Sequence, residues 1–470
     1  MTWEAVIGLE IHVHLKTRTK MFCRCPVGFG APPNTQTCPV CLAFPGALPV
    51  ANRTAIEWTI LLGLALECDI ADHAVFSRKN YFYYDNPKGY QISQYDLPLC
   101  KNGKVLIPNE TGDREIGIVR AHLEEDAAKT VHVGGRGGRS QGADYSLVDF
   151  NRCGTPLVEI VTGPDIRSAD DAKRFLQLLR QTIVELGVSD AEMEKGTLRV
   201  DANVSVRPEG SDELRTRTEI KNMNSFNFIA RGIEAEIERQ IAVWESGGEV
   251  VQQTFDFEAS SGTLSARRAK EEADDYRYFP EPDLVPFEPA AELVERLRSD
   301  LPESPGARIR RLESELDLDR ALVLVTGGLD RLWAQTTAAG ADKVAAANVI
   351  ANNLVGAGVD PGSVSAGELA KLVEARDRIP RAIFDEAISS IGDADFLADP
   401  YLEQEAVSDT AELEPIVEAI LDANPGQVES FRNGKEGLLG FFVGQVMKET
   451  QGKANPRVVS ELVREKLNAR

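Results

Sequence analysis

Histidine is scarce in this chain, and so are several signatures that would otherwise decide its class. Only five histidines occur among 470 residues, so any clustering of them is informative. No run of about 18 apolar residues is present, so no helical segment is expected to cross a membrane. The N-terminus enters a strand-like pattern directly, without a basic stretch leading into an apolar one, and the chain is expected to be cytoplasmic. There is no Walker-type glycine loop, no dinucleotide fingerprint and no Gly-x-Ser-x-Gly element. A nucleotide user would therefore need a site built on a sheet face. Basic residues are also in short supply: 52 Lys and Arg against 74 Asp and Glu give a net charge of −22, which argues against a broad, nonspecific grip on nucleic acid. It leaves room for a local basic groove.

What is present has the balance of an ordinary globular protein large enough for several domains. As far as about residue 290, strand-like alternation and Gly/Pro turns dominate. Helical spacing of apolar residues is confined there to the neighbourhoods of Ala51–Glu67, Ala169–Leu186 and Phe228–Glu245. This predicts one large α+β domain over 1–290. The proline-interrupted stretch EPDLVPFEP, Glu281–Pro289, marks its end. Amphipathic segments such as Glu368–Ile391 then predict a helical domain over 291–405, and a small helical unit follows over 406–470. The glycine-rich stretch Gly134–Gly142 reads as a loop.

The opening strand holds two of the five histidines. In VIGLEIHVHL, Ile7, Leu9, Ile11, Val13 and Leu15 share one face, and Gly8, Glu10, His12 and His14 the other. LRVDANVSVR places Arg199, Asp201, Asn203 and Ser205 on one face, and IGIVRAHLEED does the same with Arg120, His122 and Glu124. A sheet with one solvated face would account for any one of these strands. Taken together, carboxylates, imidazoles, an amide and guanidinium groups suit a divalent cation beside a polyanion. The tyrosine-rich segment Ser77–Pro98 is either an aromatic loop packed on the surface or a groove in which tyrosines stack on bases while Lys79 and Lys88 meet phosphates.

Of the seven cysteines, four crowd together as Cys23-x-Cys25 and Cys38-x-x-Cys41. In a reducing compartment this spacing suits tetrahedral Zn²⁺ better than disulfides. With all four positions filled by thiolates the site would be closed, hence structural. Buried free thiols are the alternative. Cys153 lacks a demonstrable histidine partner and is read as structural.

The motifs VIGLEIHVHL, KNYFYYDNPKGYQISQ, HLEEDAAK, VDFNRCGTPLVEIV, LRVDANVSVRP, EIKNMNSFNF, DDYRYFPEPDL and FFVGQVMKETQGKANP run through the whole chain. In that order they resemble the B subunit of the aspartyl/glutamyl-tRNA amidotransferase, the GatB family. The resemblance implies a cradle-like α+β domain with an antiparallel or mixed sheet, a helical domain and a small YqeY-like tail. It also implies the reaction: ATP and Mg²⁺ are used to phosphorylate the side-chain carboxylate of Glu-tRNA(Gln) or Asp-tRNA(Asn). Ammonia from a glutaminase subunit then amidates it, and a small third subunit completes the heterotrimer. Glu10, His12, Glu124 and Glu125 would hold or surround Mg²⁺. Strand parity favours Glu124 as the inward group, and Glu125 is kept because the strand could end there. Lys79 would touch phosphate and Arg152 would position the substrate carboxylate. Tyr81, Lys88, Asp201 and Asn203 are further substrate or ATP contacts. Lys448, Lys453 and Arg457 would meet tRNA phosphates, unless they are simply a solvated helix end. A noncatalytic, zinc-stapled tRNA-binding scaffold is the rival reading; it would need no carboxylate cluster on a sheet face.

Overall fold

The computed structural model describes residues 2–134, 142–266, 276–403, 410–450 and 452–469. The chain falls into two compact units, residues 1–308 and 309–470.

The first unit opens with strand β1 (Trp3–His14), helix α1 (Arg53–Ala65), β2 (Asp69–Ile70), β3 (Ser77–Asn80), β4 (Tyr90–Ser93), β5 (Cys100–Asn109) and β6 (Gly112–Glu125). A hairpin of β7 (Lys129–Val133) and β8 (Tyr145–Asp149) comes next, then β9 (Pro156–Thr162), α2 (Ala169–Glu185), β10 (Leu198–Pro208) and β11 (Thr218–Lys221). The helix α3 (Phe226–Glu245), β12 (Thr254–Glu258), β13 (Thr263–Ala266) and β14 (Phe279–Pro280) follow. Nine strands form one sheet in the order β13-β12-β11-β10-β1-β9-β6-β5-β2. All neighbours are antiparallel except β11 and β12, so the sheet is mixed, as expected. A second sheet, β14-β3-β4, carries the tyrosine-rich segment.

The alternation of β1 explains its place in the middle. Ile7, Leu9, Ile11 and Val13 are all buried, whereas Glu10, His12 and His14 stay partly open. The three helices anticipated from apolar spacing form close to where expected. Each is started by a side chain that accepts an orphan amide of the first turn. Ser168 accepts from Asp171 N at 3.0 Å, and Ser225 accepts from Phe228 N at 3.2 Å. Asn52 accepts from Ala55 N at 3.2 Å, and its amide also donates to the Thr19 carbonyl at 3.0 Å, fastening α1 to the start of the cysteine loop. Gly63 lets α1 lie close on β5, since a Cβ there would fall 2.4 Å from Cys100 Sγ.

The second unit is helical, with helices from Leu318–Thr326 to Pro456–Ala469. The amphipathic stretch Glu368–Ile391 forms two helices, Ala366–Ala375 and Arg381–Ser390, with Pro380, which lacks an N–H and disfavours a continuous helix, at the N-cap of the second. Toward its end, Leu413, Val417, Phe442, Val446, Val459 and Val463 form a core of their own. The glycine-rich stretch 134–142 lies, apart from its two end glycines, outside the described residues. Among the described residues no helix is long and apolar enough to cross a membrane.

Candidate active site and metal centre

Strand register lines up a polar row on the sheet. His122 of β6 stands opposite Glu159 of β9, Glu159 opposite His12 of β1, and His12 opposite Arg199 of β10. Two residues along, Glu10 faces Asp201. Successive residues point to opposite faces, so Glu10, His12 and His14 share a side, as do His122 and Glu124. His12 Nε2 lies 3.4 Å from Glu159, 3.8 Å from Glu124 and 3.9 Å from Glu10. The ligand atoms of Glu10, His12 and Glu159 fall within 4.8 Å of one another, as do those of His122, Glu124 and Glu159.

The two imidazoles differ in charge. Burial disfavours the imidazolium of His12, but Glu159, Glu124 and Glu10 outweigh it and raise its pKa to about 9. At His122 burial dominates and the pKa falls to about 4. His122 is therefore neutral at pH 7. Its Nδ1 accepts from Arg120 Nε at 3.3 Å, which puts its own proton on Nε2, facing Glu124 and Glu159. Glu124 is pushed up to about 7 by burial and by neighbouring Glu159, although Ser93 Oγ donates to it at 3.1 Å. At Glu159 burial is outweighed by the flanking imidazoles and Lys79, which hold the carboxyl well below its usual range. With His122 neutral, charged His12 is the ring that does most of this.

Lys79 reaches the cluster from β3. Burial opposes its charge, yet Glu124 and Glu159 keep its pKa above the ordinary value. Its ammonium lies over the Tyr276 ring, 4.8 Å from the centroid, and Tyr81 packs edge-on against the same ring. Arg78, next in the strand, makes two bonds of 2.7 and 2.8 Å to buried Glu281, joining β3 to the chain after β14. Glu10 also lines a cavity of about 590 Å³, together with Arg120, Asn203, Ser205, Arg215 and Arg217 among others. Asp201 pairs with Lys221.

One expected member of the metal cluster, Glu125, lies elsewhere, and so does Lys88, expected as a substrate or ATP contact. Strand β6 runs through Glu125, so its alternation persists to the end, and Glu125 points away from Glu124. Its carboxylate pairs with Lys88 and accepts from Ile92 N at 3.0 Å. Both line a separate cavity of about 180 Å³ beside Cys41. Glu125 is thus not in the His12 cluster, where Glu159 stands instead, and Lys88 is tied to Glu125. Arg152 is likewise engaged: it donates to the Ala127 and Ala128 carbonyls at 2.9 and 2.7 Å and lies 3.3 Å from Asp126. It holds the turn after β6 rather than offering a free fork to a substrate. His14, left without a role by sequence, bonds Asp126 at 2.6 Å. Burial would raise the Asp126 carboxyl, but Arg199, His14 and Arg152 hold it well below the usual range.

The four clustered cysteines converge, with sulfurs within 4.8 Å of one another and no disulfide among them. Lys448, Lys453 and Arg457 are exposed, and Arg457 pairs with Glu461 at 3.3 Å.

The chain is similar to known proteins over nearly its whole length. Residues 5–295 match the model described as the GatB/GatE catalytic domain, and residues 332–467 match the one described as the GatB domain. Relatives named as the B subunit of aspartyl/glutamyl-tRNA(Asn/Gln) amidotransferase are similar over nearly the whole chain. That of Geobacter sulfurreducens is 49% identical over 99% of this chain and 100% of its own. That of Moorella thermoacetica is 48% identical over 99% and 100%, and that of Syntrophotalea carbinolica is 46% identical over 99% and 98%. The chain belongs to the GatB family.

Within this GatB-family chain, sequence reasoning overlooked Glu159 and placed His122 on the polar face without a role of its own. Glu159 lies in PLVEIVT, a strand almost wholly buried. One carboxylate in an aliphatic run buried on both sides is the signal, because such a charge persists only when paired or bound. The donor set fits a hard divalent cation: carboxylate oxygens of Glu10, Glu124 and Glu159 converge around His12, and these residues would hold it once the cation has displaced the His12 proton. The thiol set fits zinc.

Proposed function

We propose that the chain is the activating subunit of the tRNA-dependent amidotransferase. In this reading a carboxylate oxygen of the Glu or Asp carried by tRNA(Gln) or tRNA(Asn) attacks the γ-phosphorus of ATP. The bond to the bridging oxygen breaks, ADP leaves, and an acyl phosphate forms. Ammonia from the glutaminase subunit then attacks the acyl carbon, phosphate departs, and the nitrogen loses a proton. A carboxylate is a poor acyl donor because oxide is a poor leaving group, and phosphorylation removes that obstacle. The catalytic burden is alignment and charge neutralisation.

The observation that carries this reading is the convergence of Glu10, His12, Glu124 and Glu159 beside Lys79 and next to an arginine-lined cavity. Glu10, Glu124 and Glu159, with His12 in its neutral form, would hold Mg²⁺, which would supply charge neutralisation for the phosphates. Lys79, kept cationic by Glu124 and Glu159, would meet the phosphoryl oxygens. Arg120, Arg215 and Arg217 would receive the rest of the polyphosphate, and Asn203 and Ser205 would add neutral hydrogen bonds. Neutral His122 lies with its Nε2 3.9 Å from Glu124 and 3.7 Å from Glu159, adding no net charge between the two carboxylates. Structural Zn²⁺ on Cys23, Cys25, Cys38 and Cys41 would staple the loop after β1. We read 1–290 as the catalytic cradle, 291–405 as a helical domain and 406–470 as a tRNA-binding tail. We assign the heterotrimer, formed with the glutaminase and the small third subunit, to the cytoplasm.

The test is reconstitution with those two partners and assay of ATP- and glutamine-dependent conversion of both misacylated tRNAs. Glu10→Ala and His12→Ala should abolish conversion while tRNA binding is largely retained. If conversion survives both changes, the assigned site is wrong and the scaffold reading gains.

A further inference from the structure

Lys20 is an unusual residue for its surroundings. Its side chain is among the largest that are fully buried, with 1% of its surface exposed. A buried ammonium is costly unless it is paired. Its Nζ donates to the Phe150 carbonyl at 3.1 Å and to Cys41 Sγ at 3.6 Å. A thiol sulfur is a weak acceptor, so as free thiols the cluster leaves this ammonium poorly compensated. Four thiolates around one divalent cation leave an excess of negative charge, which is the partner a buried ammonium needs.

The same side chain bridges two segments. Phe150 opens the turn that leads through Arg152 and Gly154 into β9, the strand of Glu159. That turn wraps the cysteine loop: Met21 N donates to Gly154 O at 2.7 Å, and Gln36 N to Asn151 Oδ1 at 2.8 Å. Phe150 N donates to Asn34 Oδ1 at 2.7 Å. Gly154 has φ +85° and lies against Lys20, with a Cβ there reaching 3.4 Å from Lys20 Cδ.

We infer that Lys20 is the counter-charge of the metal-loaded tetrathiolate and couples the zinc loop to the turn that feeds Glu159 into the active sheet. It is a positioning residue and touches no substrate. This rests on the zinc reading given above. Neutral Lys20 variants should weaken zinc binding by removing the counter-charge, and losing zinc should loosen residues 149–154.

The full-length chain, purified with zinc, is titrated against a chromophoric chelator. Lys20→Met should hold zinc on the order of 10–100-fold more weakly than wild type, with Lys20→Arg between them. Equal affinity in Lys20→Met overturns the assignment. If Lys20→Met does not fold, Lys20→Gln replaces it, keeping a donor for Phe150 without the charge, and zinc affinity equal to wild type in that variant is equally fatal. Independently, chelating zinc from wild type should raise amide hydrogen exchange across 149–154, and unchanged protection would refute the coupling. A wild-type chain with less than about half an equivalent of zinc removes the zinc reading and this inference together. A zinc-replete wild type with an indifferent Lys20→Met removes the inference alone.

Discussion

Glu159 belongs to both convergent triads, opposite His12 on one side and His122 on the other. Replacing it with Gln keeps the shape and removes an anionic oxygen donor from both triads. Conversion by the reconstituted complex should fall by on the order of a hundredfold or more, the usual cost of losing one preorganised charged contact. A fall of less than about threefold would mean that Glu159 is a packing residue. Glu10 and His12 were legible without coordinates because β1 alternates cleanly and five histidines make a pair conspicuous. Glu159 was not, because a strand buried on both faces has no alternation to read. Nor could sequence foresee that Arg152 would be taken up by two carbonyls and Asp126, since those partners meet it only through the turn after β6.

At the level of elements, β3 delivers Lys79, and β3 is held by its neighbour in the chain. Arg78 clamps Glu281, whose side chain is fully buried. Arg78→Ala would strand that carboxylate and should lower stability by about 3 kcal/mol, read as a shift in the urea midpoint of the first unfolding transition. Conversion should drop as well, because Lys79 loses its fixed strand. Helix α1 offers an opposite test of propensity against packing. Gly63→Ala gains roughly 1 kcal/mol of helix propensity. It also drives a methyl to 2.4 Å from Cys100 Sγ and 3.0 Å from its Cβ, inside a closed core. Overpacking of that kind costs roughly 1–3 kcal/mol, so the substitution should be net destabilising in a thermal melt. Element types were readable from period. Element ends were not: whether β6 included Glu125 decided which way that carboxylate pointed, and Pro380 split one amphipathic stretch into two helices.

For the whole molecule, the proposed binding of tRNA has to be reconciled with a net charge of −22. Contacts then have to be local, and the exposed Lys448, Lys453 and Arg457 are the proposed ones. Changing all three to Ala should weaken tRNA binding and reduce the slope of log K against log salt by roughly one for each phosphate no longer neutralised. An unaltered slope would assign tRNA binding to another surface. The class and the passage from sheet to helices were legible in the chain because hydrophobic period changes there; the nine-strand order was not, since pairing between distant segments leaves no local mark. That pairing has a kinetic side. His12, His122, Glu159 and Arg199 come from four widely separated stretches of chain, so the row exists only once long-range pairing is complete. Such pairings carry a loop-closure cost and form late in folding. No collapsed intermediate should therefore bind nucleotide, and a nucleotide that binds only the finished sheet stabilises it by mass action, by about 2.7 kcal/mol at a hundred times its Kd. If the proposed nucleotide site is right, it acts as a checkpoint on the whole fold: a chain that has mispaired any of these four strands should be set apart from a finished one by its failure to gain thermal stability with ATP.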